Sequence, residues 1–525
     1  MWLNYLVLGL YVVALIGIAL YTRKKVHSSD DFLLAGKKGL NGWMSAFSYG
    51  TTYFSAVIFI GYAGNFGWNF GLSAIWIGVG NALIGGLLAW LVMARRTKNM
   101  TNRLQAKTMP DFFEKRYGSP FLKKLSAIII FILLVPYAAS VYNGLGSLFG
   151  IMFGIDGTVV TVALAALTAL YLVFGGYFAT SVSDFFQGII MLAGVAVMIV
   201  FLFSGLHAPG DPAVKVDIAT ALKMLNEQDK GLFAPYGNNG FLGSPAVKII
   251  SLVLLTSLGV YGLPQTVHKY YAVRDGRAVK QGMIVSTVFA FIVGVAAYLF
   301  GSFARVFFTE LPSVGGVASA DNIVPFMLNE IIPDGLQGLI AVLVLSASMS
   351  TLASVSLAAS SVLSVDLYKG SINKGATDKN VTLIMRLFCG VFVAISVAIA
   401  LLNNHYHIAA IAYLMSLSWG TLSGCFFGPF VLGLYKKKIT KAAAITSVVT
   451  GLALTVALIF VFGALTPGRE EGVGGLLKAG VSQSPLIGVI CMAVSCAIVV
   501  IVSLFTKPLD KSIVDMAFEP KESDI

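Results

Sequence analysis

A chain of 525 residues that is 57% hydrophobic and only 11% charged has too few charged side chains for a soluble globular surface and must be a polytopic membrane protein. Its net charge of +12 would suit nucleic acid, but in a membrane protein excess Lys and Arg marks cytoplasmic loops, so no nucleic-acid partner is needed. The four cysteines fall in apolar segments and the five histidines in loops or at span ends, which leaves no metal set, disulfide framework or haem pair and argues against an enzyme.

Apolar runs predict spans near 2–22, 41–66, 71–94, 122–153, 157–175, 181–205, 246–268, 280–307, 336–367, 382–402, 407–435, 441–463 and 484–505. The first has no Lys or Arg before it and Arg23, Lys24 and Lys25 directly after it, the reverse of a secretory signal, and reads as an uncleaved span. Alternation places the basic segments 23–40, 95–124, 269–280, 369–386, 436–441 and the tail from 507 on one side, with 29 of the 36 Lys and Arg residues. That asymmetry predicts an outside N-terminus and a cytoplasmic C-terminus. The expected location is the plasma membrane, a bacterial cytoplasmic membrane. The longest outside loops, 206–245 and 308–335, have the length to form surface helices or lids. The run Asp111, Glu114, Lys115 and Arg116 reads as a solvated face of a loop helix.

Two spans carry helix breakers at membrane depth: Ser48-Tyr49-Gly50-Thr51-Thr52 in the second, and Gly259, Gly262 and Pro264 in the seventh. Backbone freed in this way survives only where it is buried in protein or lines a cavity. Broken helices five spans apart predict two inverted five-helix repeats with a binding site between the breaks, the trace of an alternating-access carrier. The chain then divides into 1–40, a first repeat 41–205, an outside loop 206–245, a second repeat 246–435, and a C-terminal part 436–525.

The ninth span holds a polar stripe. Ser350, Ser354 and Ser361 share one helical face, Thr351 lies beside Ser350, and the Ala347 carbonyl lies one turn earlier. Single serines in membrane helices usually bond back to their own helix, but this cluster can bring three neutral oxygens to one point. Neutral oxygens without a carboxylate suit a monovalent cation better than Ca²⁺ or Zn²⁺. Asp184, near the inner end of the sixth span, either tunes cation exit or caps the N-terminus of its helix.

The run Gly175-Gly176-x-x-Ala179-x-x-x-x-Asp184-x-x-Gln187 resembles the signature of the sodium:solute symporter family. Asp30-Asp31-Phe32-Leu33-Leu34-Ala35-Gly36, Thr108-Met109-Pro110-Asp111-Phe112-Phe113, Val365-Asp366-Leu367-Tyr368 and Phe427-Gly428-Pro429 are similar to further family segments, in the same order. The resemblance implies an all-α membrane protein of about thirteen helices with a leucine-transporter-like core. It also implies Na⁺ as the coupling ion, held by the carbonyls of Thr51, Phe54 and Ala347 and the hydroxyls of Ser350 and Thr351. Some members hold a second sodium at positions matching Asp184 and Ser354, but one hydroxyl of that set is replaced here by Ala353, so one Na⁺ per solute is expected.

Where the family's sugar carriers place hydrogen-bonding side chains, this chain has Val57, Ile58 and Gly78, a poor site for a polyol. The surroundings of Gly262-Leu263-Pro264-Gln265-Thr266 look most like proline and pantothenate carriers, although Tyr53 stands where proline carriers have an acidic residue. Tyr53, Ser55, Asn81, Ser257, Tyr261, Ser416 and Trp419 are the candidate lining of the solute site. The expected function is sodium-coupled import of a small organic solute, an amino acid such as proline or a small carboxylate. The alternatives are a proton-coupled carrier of the same fold, a sugar- or sialic-acid-type sodium symporter, and a transporter-like sensor or channel.

Overall fold

The computed structural model describes residues 2–23, 32–33, 40–208, 211–228, 245–406 and 408–519. Asp30, Asp31, His27, His407, residues 34–39, the part 229–244 of the expected outside loop and the last residues of the tail lie outside the described residues. Among the described residues the chain is helical apart from two short hairpins, His207–Ala208 with Asp211–Lys215 and Ser313–Val314 with Val317–Ala318.

Helix starts follow from capping residues. Asn41 accepts from the Met44 amide, Thr108 from Asp111, Asp275 from Ala278 and Thr440 from Ala443, each satisfying a donor that the first helical turn leaves free. Ser119 does the same for Leu122, and Pro120 follows it at the first helical position, where its missing N–H costs nothing.

Eleven helices among the described residues are individually long and apolar enough to cross a bilayer. The expected thirteen are not each recovered on that measure. Gly157–Val173 is shorter, and the stretch expected at 41–66 is two helices, Gly42–Tyr53 and a second beginning at Val57. The expected spans 157–175 and 181–205 meet at Gly176, whose φ of +58° only glycine adopts readily and whose missing side chain admits the Phe32 ring.

The helix Gln337–Ser361 lies at the centre. Of the most apolar window in its span, 94% is buried inside the protein, against 22% for the outer helices Trp2–Thr22 and Lys441–Leu465, so lipid contacts the latter and protein surrounds the former. Small residues let the inner helices approach: a Cβ on Gly67 would overlap the Gly301 carbonyl, and one on Gly301 would overlap the carbonyl of Ala63.

The charged loop helix Met109–Tyr117 is not a solvated face. Arg116 is fully buried and donates to the carbonyls of Gly433 and Lys436 at 3.0 and 2.9 Å. Asp111 is buried between Lys115 at 2.9 Å and Lys123 at 3.1 Å. Burial alone would raise its pKa, but the two ammonium groups outweigh that and hold the carboxyl below its usual range. Lys123 also reaches Glu114 at 2.7 Å and Asp366 at 3.6 Å, and Thr108 donates to Asp366 at 2.7 Å. Five side chains thereby tie the loop helix to the basic end of the central helix, because tertiary pairing satisfies charges that local sequence leaves apparently exposed.

Candidate functional site

The site begins at the break in the second span. Helix Gly42–Tyr53 stops at Phe54, which is extended at φ −105° and ψ 136°, and helical structure resumes at Val57. The freed Ala56 amide donates to the Ser348 hydroxyl at 3.0 Å, and the Val57 amide to that of Ser55 at 3.2 Å. The freed carbonyls turn toward the central helix. Thr351 Oγ1 lies 3.1 Å from the Thr52 carbonyl, 3.3 Å from that of Phe54 and 3.2 Å from that of Ala347. One hydroxyl proton serves only one of these oxygens at a time, so lone pairs are in excess at this point, as a cation site requires.

Phe54, Ala347 and Thr351 are thus brought together, with the Thr52 carbonyl beside them. Ser350 faces elsewhere. Its hydroxyl donates to Asp184 Oδ1 at 2.7 Å and lies 2.8 Å from that of Thr51, so Thr51 meets the cluster through its side chain. Asp184 is fully buried in mid-helix, well past the kink at Gly176, and is therefore not an N-cap. Its Oδ2 accepts from Ser48 at 2.6 Å and lies 3.6 Å from the ammonium of Lys269. That ammonium also donates to Ser48 at 2.8 Å and to Ser354 at 2.9 Å, while Ser354 reaches Thr52 at 3.0 Å.

Lys269 is the main residue that sequence reasoning missed. Counted with the basic loop 269–280, it instead ends up only 3% exposed, because the helix after the second break, Pro264–Tyr271, runs on past the expected boundary. A basic residue within two turns of a helix breaker in a broken span was the available signal. Ser48 and Thr52 were visible as part of the breaker run, though not as partners of the ninth span.

The candidate solute residues surround Tyr53. Its hydroxyl donates to the Thr256 carbonyl, and its ring packs edge-on against Trp419 at 6.1 Å. Asn81 accepts from Thr256 at 2.7 Å and Ser257 at 3.2 Å, but its own Nδ2 is buried with no partner among the described residues, as is Nε1 of Trp419. Ser55 caps the break. Ser416 pairs with Tyr62 at 2.6 Å, and Tyr261 donates to the Ile84 carbonyl at 2.8 Å, so both are engaged in helix packing. The Tyr137 ring packs edge-on against Trp419 at 5.6 Å and its hydroxyl is directed toward Thr351 and Ser55, so it joins the cation oxygens to the solute candidates.

Discontinuous helices that meet around buried oxygens at mid-bundle define a cation-coupled secondary carrier. The chain belongs to the sodium:solute symporter family, whose model matches residues 32–451. It is 28% identical over 475 residues to the osmoregulated proline transporter OpuE of Bacillus subtilis, covering 90% of this chain and 91% of that one. It is 26% identical over 452 residues to the sodium/pantothenate symporter of Haemophilus influenzae, covering 84% and 87%. Among solved structures it is similar to a Na⁺-coupled sialic acid symporter in a substrate-bound outward-open state, with TM-score 0.76 and 18% identity over 97% of this chain and 99% of that one. The fold is thus the leucine-transporter-like one, and the protein is a multi-pass sodium-coupled symporter of a small solute.

Proposed function

We propose that this symporter imports an amino acid such as proline, or a small carboxylate, together with one Na⁺. The observation that carries the sodium site is the Thr351 hydroxyl set among the carbonyls of Thr52, Phe54 and Ala347. Na⁺ binds there as a transported substrate, with Ser350 and Thr51 at the rim. Asn81 Nδ2 and Trp419 Nε1, two buried donors beside Tyr53, favour a solute that presents acceptor oxygens, because an unpaired buried donor is costly until something accepts from it. The proline and pantothenate relatives also transport solutes that carry a carboxylate. The repeats run over 41–205 and 246–435, with the N-terminus outside and the C-terminus cytoplasmic in a bacterial cytoplasmic membrane.

One Na⁺ crossing ~100 mV contributes about 2.3 kcal/mol. A tenfold Na⁺ gradient adds about 1.4 kcal/mol, and together they concentrate a zwitterion several hundredfold. Uptake of radiolabelled L-proline and of pantothenate into proteoliposomes, under an imposed Na⁺ gradient or an imposed proton gradient, tests the reading. Accumulation that requires Na⁺ supports it, whereas accumulation driven equally well by protons alone overturns it.

A further inference from the structure

Lys269 has the environment of a bound ion. Its ammonium touches the Ser48 and Ser354 hydroxyls at 2.8 and 2.9 Å, lies 3.6 Å from Asp184 Oδ2 and stands 5.1 Å from the centre of the Tyr177 ring. Ser350 completes the carboxylate's partners from the other oxygen. Without the lysine, these groups would form a cage of one carboxylate and three hydroxyls, carrying a net negative charge and fully removed from water. Such a cage is the donor set of a hard monovalent cation, and it could not remain empty cheaply, because an unpaired buried carboxylate is strongly destabilising.

The lysine removes that demand without importing anything. A compact ammonium with three donors suits a small oxygen-lined cage, and its charge is tethered to the helix that follows the second break. We propose that Lys269 is a built-in second cation, which closes the Ser48–Asp184–Ser354 cage to Na⁺ and fixes the coupling at one ion per solute. This rests on the sodium reading above and gives its stoichiometry a cause other than the missing hydroxyl at Ala353. It also makes Asp184 a partner of the lysine rather than a ligand of a transported ion. Through Ser354 and Thr52, whose carbonyl faces the Thr351 hydroxyl, the lysine is connected to the oxygens around Thr351.

The test is equilibrium binding of radioactive sodium alone to the purified full chain, counted per protein at saturation and neutral pH. Wild type is expected to bind one ion, Lys269→Gln two, and Lys269→Arg one, because the guanidinium keeps the charge in place. The variant Asp184→Asn/Lys269→Gln, neutral at both positions, is expected to bind one; it keeps the experiment decisive if Lys269→Gln alone does not fold, since folding rescued by the second substitution shows that the cage demands a cation. A Lys269→Gln variant that folds and binds no more sodium than wild type overturns the proposal, as does an extra ion that persists when Asp184 is also replaced, or failure of the double variant to fold. The inference is read from the difference between variants and the sodium reading from the wild-type value. A wild type that binds none, beside a Lys269→Gln variant that binds one, sinks the sodium reading while leaving the cage in place.

Discussion

The hydroxyl of Ser350 donates to Asp184 at 2.7 Å, and this single bond joins the central helix to the helix that follows the Gly176 kink. Its neighbour Thr351, about 100° further round the helix, faces the carbonyls at the break in the second span. Adjacent residues on one helix therefore face two different polar clusters, the carbonyls around Thr351 and the lysine-paired carboxylate of Asp184.

Removing the two hydroxyls should have unequal consequences. Thr351→Ala takes away a direct contact to a dehydrated ion, a loss of roughly 1.5–3 kcal/mol. Since about 1.4 kcal/mol is tenfold in affinity, Na⁺ should bind at least tenfold more weakly. Ser350→Ala leaves Asp184 with Ser48 and Lys269 and should weaken Na⁺ by a smaller factor. Sodium titration of intrinsic fluorescence measures both, and unchanged affinity in Thr351→Ala would rule out this site.

The orientation can be read with a membrane-impermeant maleimide in whole cells. Lys124→Cys and Ser313→Cys are both at exposed positions, in the basic segment 95–124 and the opposite loop 308–335. The native Cys389, Cys425 and Cys491 are buried, and Cys496, half-buried, is replaced by serine in the background. Labelling is expected at Ser313→Cys in intact cells and at Lys124→Cys only after the membrane is opened. Labelling of both in intact cells contradicts the topology.

Gly67→Ala tests the close approach of the second and eighth spans. The new methyl would meet the Gly301 backbone, which cannot rotate aside as a side chain does. Overpacking of this kind costs about 1–3 kcal/mol, and the variant should melt several degrees below wild type in detergent. Gly276→Ala, where nothing stands within 4 Å, serves as the control and should melt like wild type.

Asp321, in the loop 308–335, should make stability depend on pH. Its Oδ2 accepts from the Ile411 amide at 3.1 Å, while its Oδ1 is buried without a partner among the described residues. Burial raises its pKa to about 6, only partly offset by the Ile411 amide. Because the folded value lies above the unfolded one, the stabilising contribution is present at low pH and is lost as pH rises through about 6. Wild type should therefore melt lower at neutral pH than in mild acid, and Asp321→Asn, which keeps the acceptor and loses the charge, should flatten that difference. An equal pH slope in both proteins would show that another group is responsible.

Membrane residence, the two broken spans, the polar stripe of the central helix and the family were legible in sequence, because each rests on local properties. Hydrophobic length sets a span. Glycine, proline and serine runs break a helix at membrane depth. A helical period places Ser350, Ser354 and Ala347 on neighbouring turns. The choice of partners was not local. Whether Ser350 meets sodium or Asp184, whether the carbonyl beside Thr351 comes from Thr51 or Thr52, and whether Arg116 is solvated depend on contacts between residues hundreds of positions apart. Lys269 shows this most clearly: in sequence it is one more charge of a basic loop, and only the packing of three helices against its own takes its ammonium out of water and sets a carboxylate, two hydroxyls and an aromatic face around it.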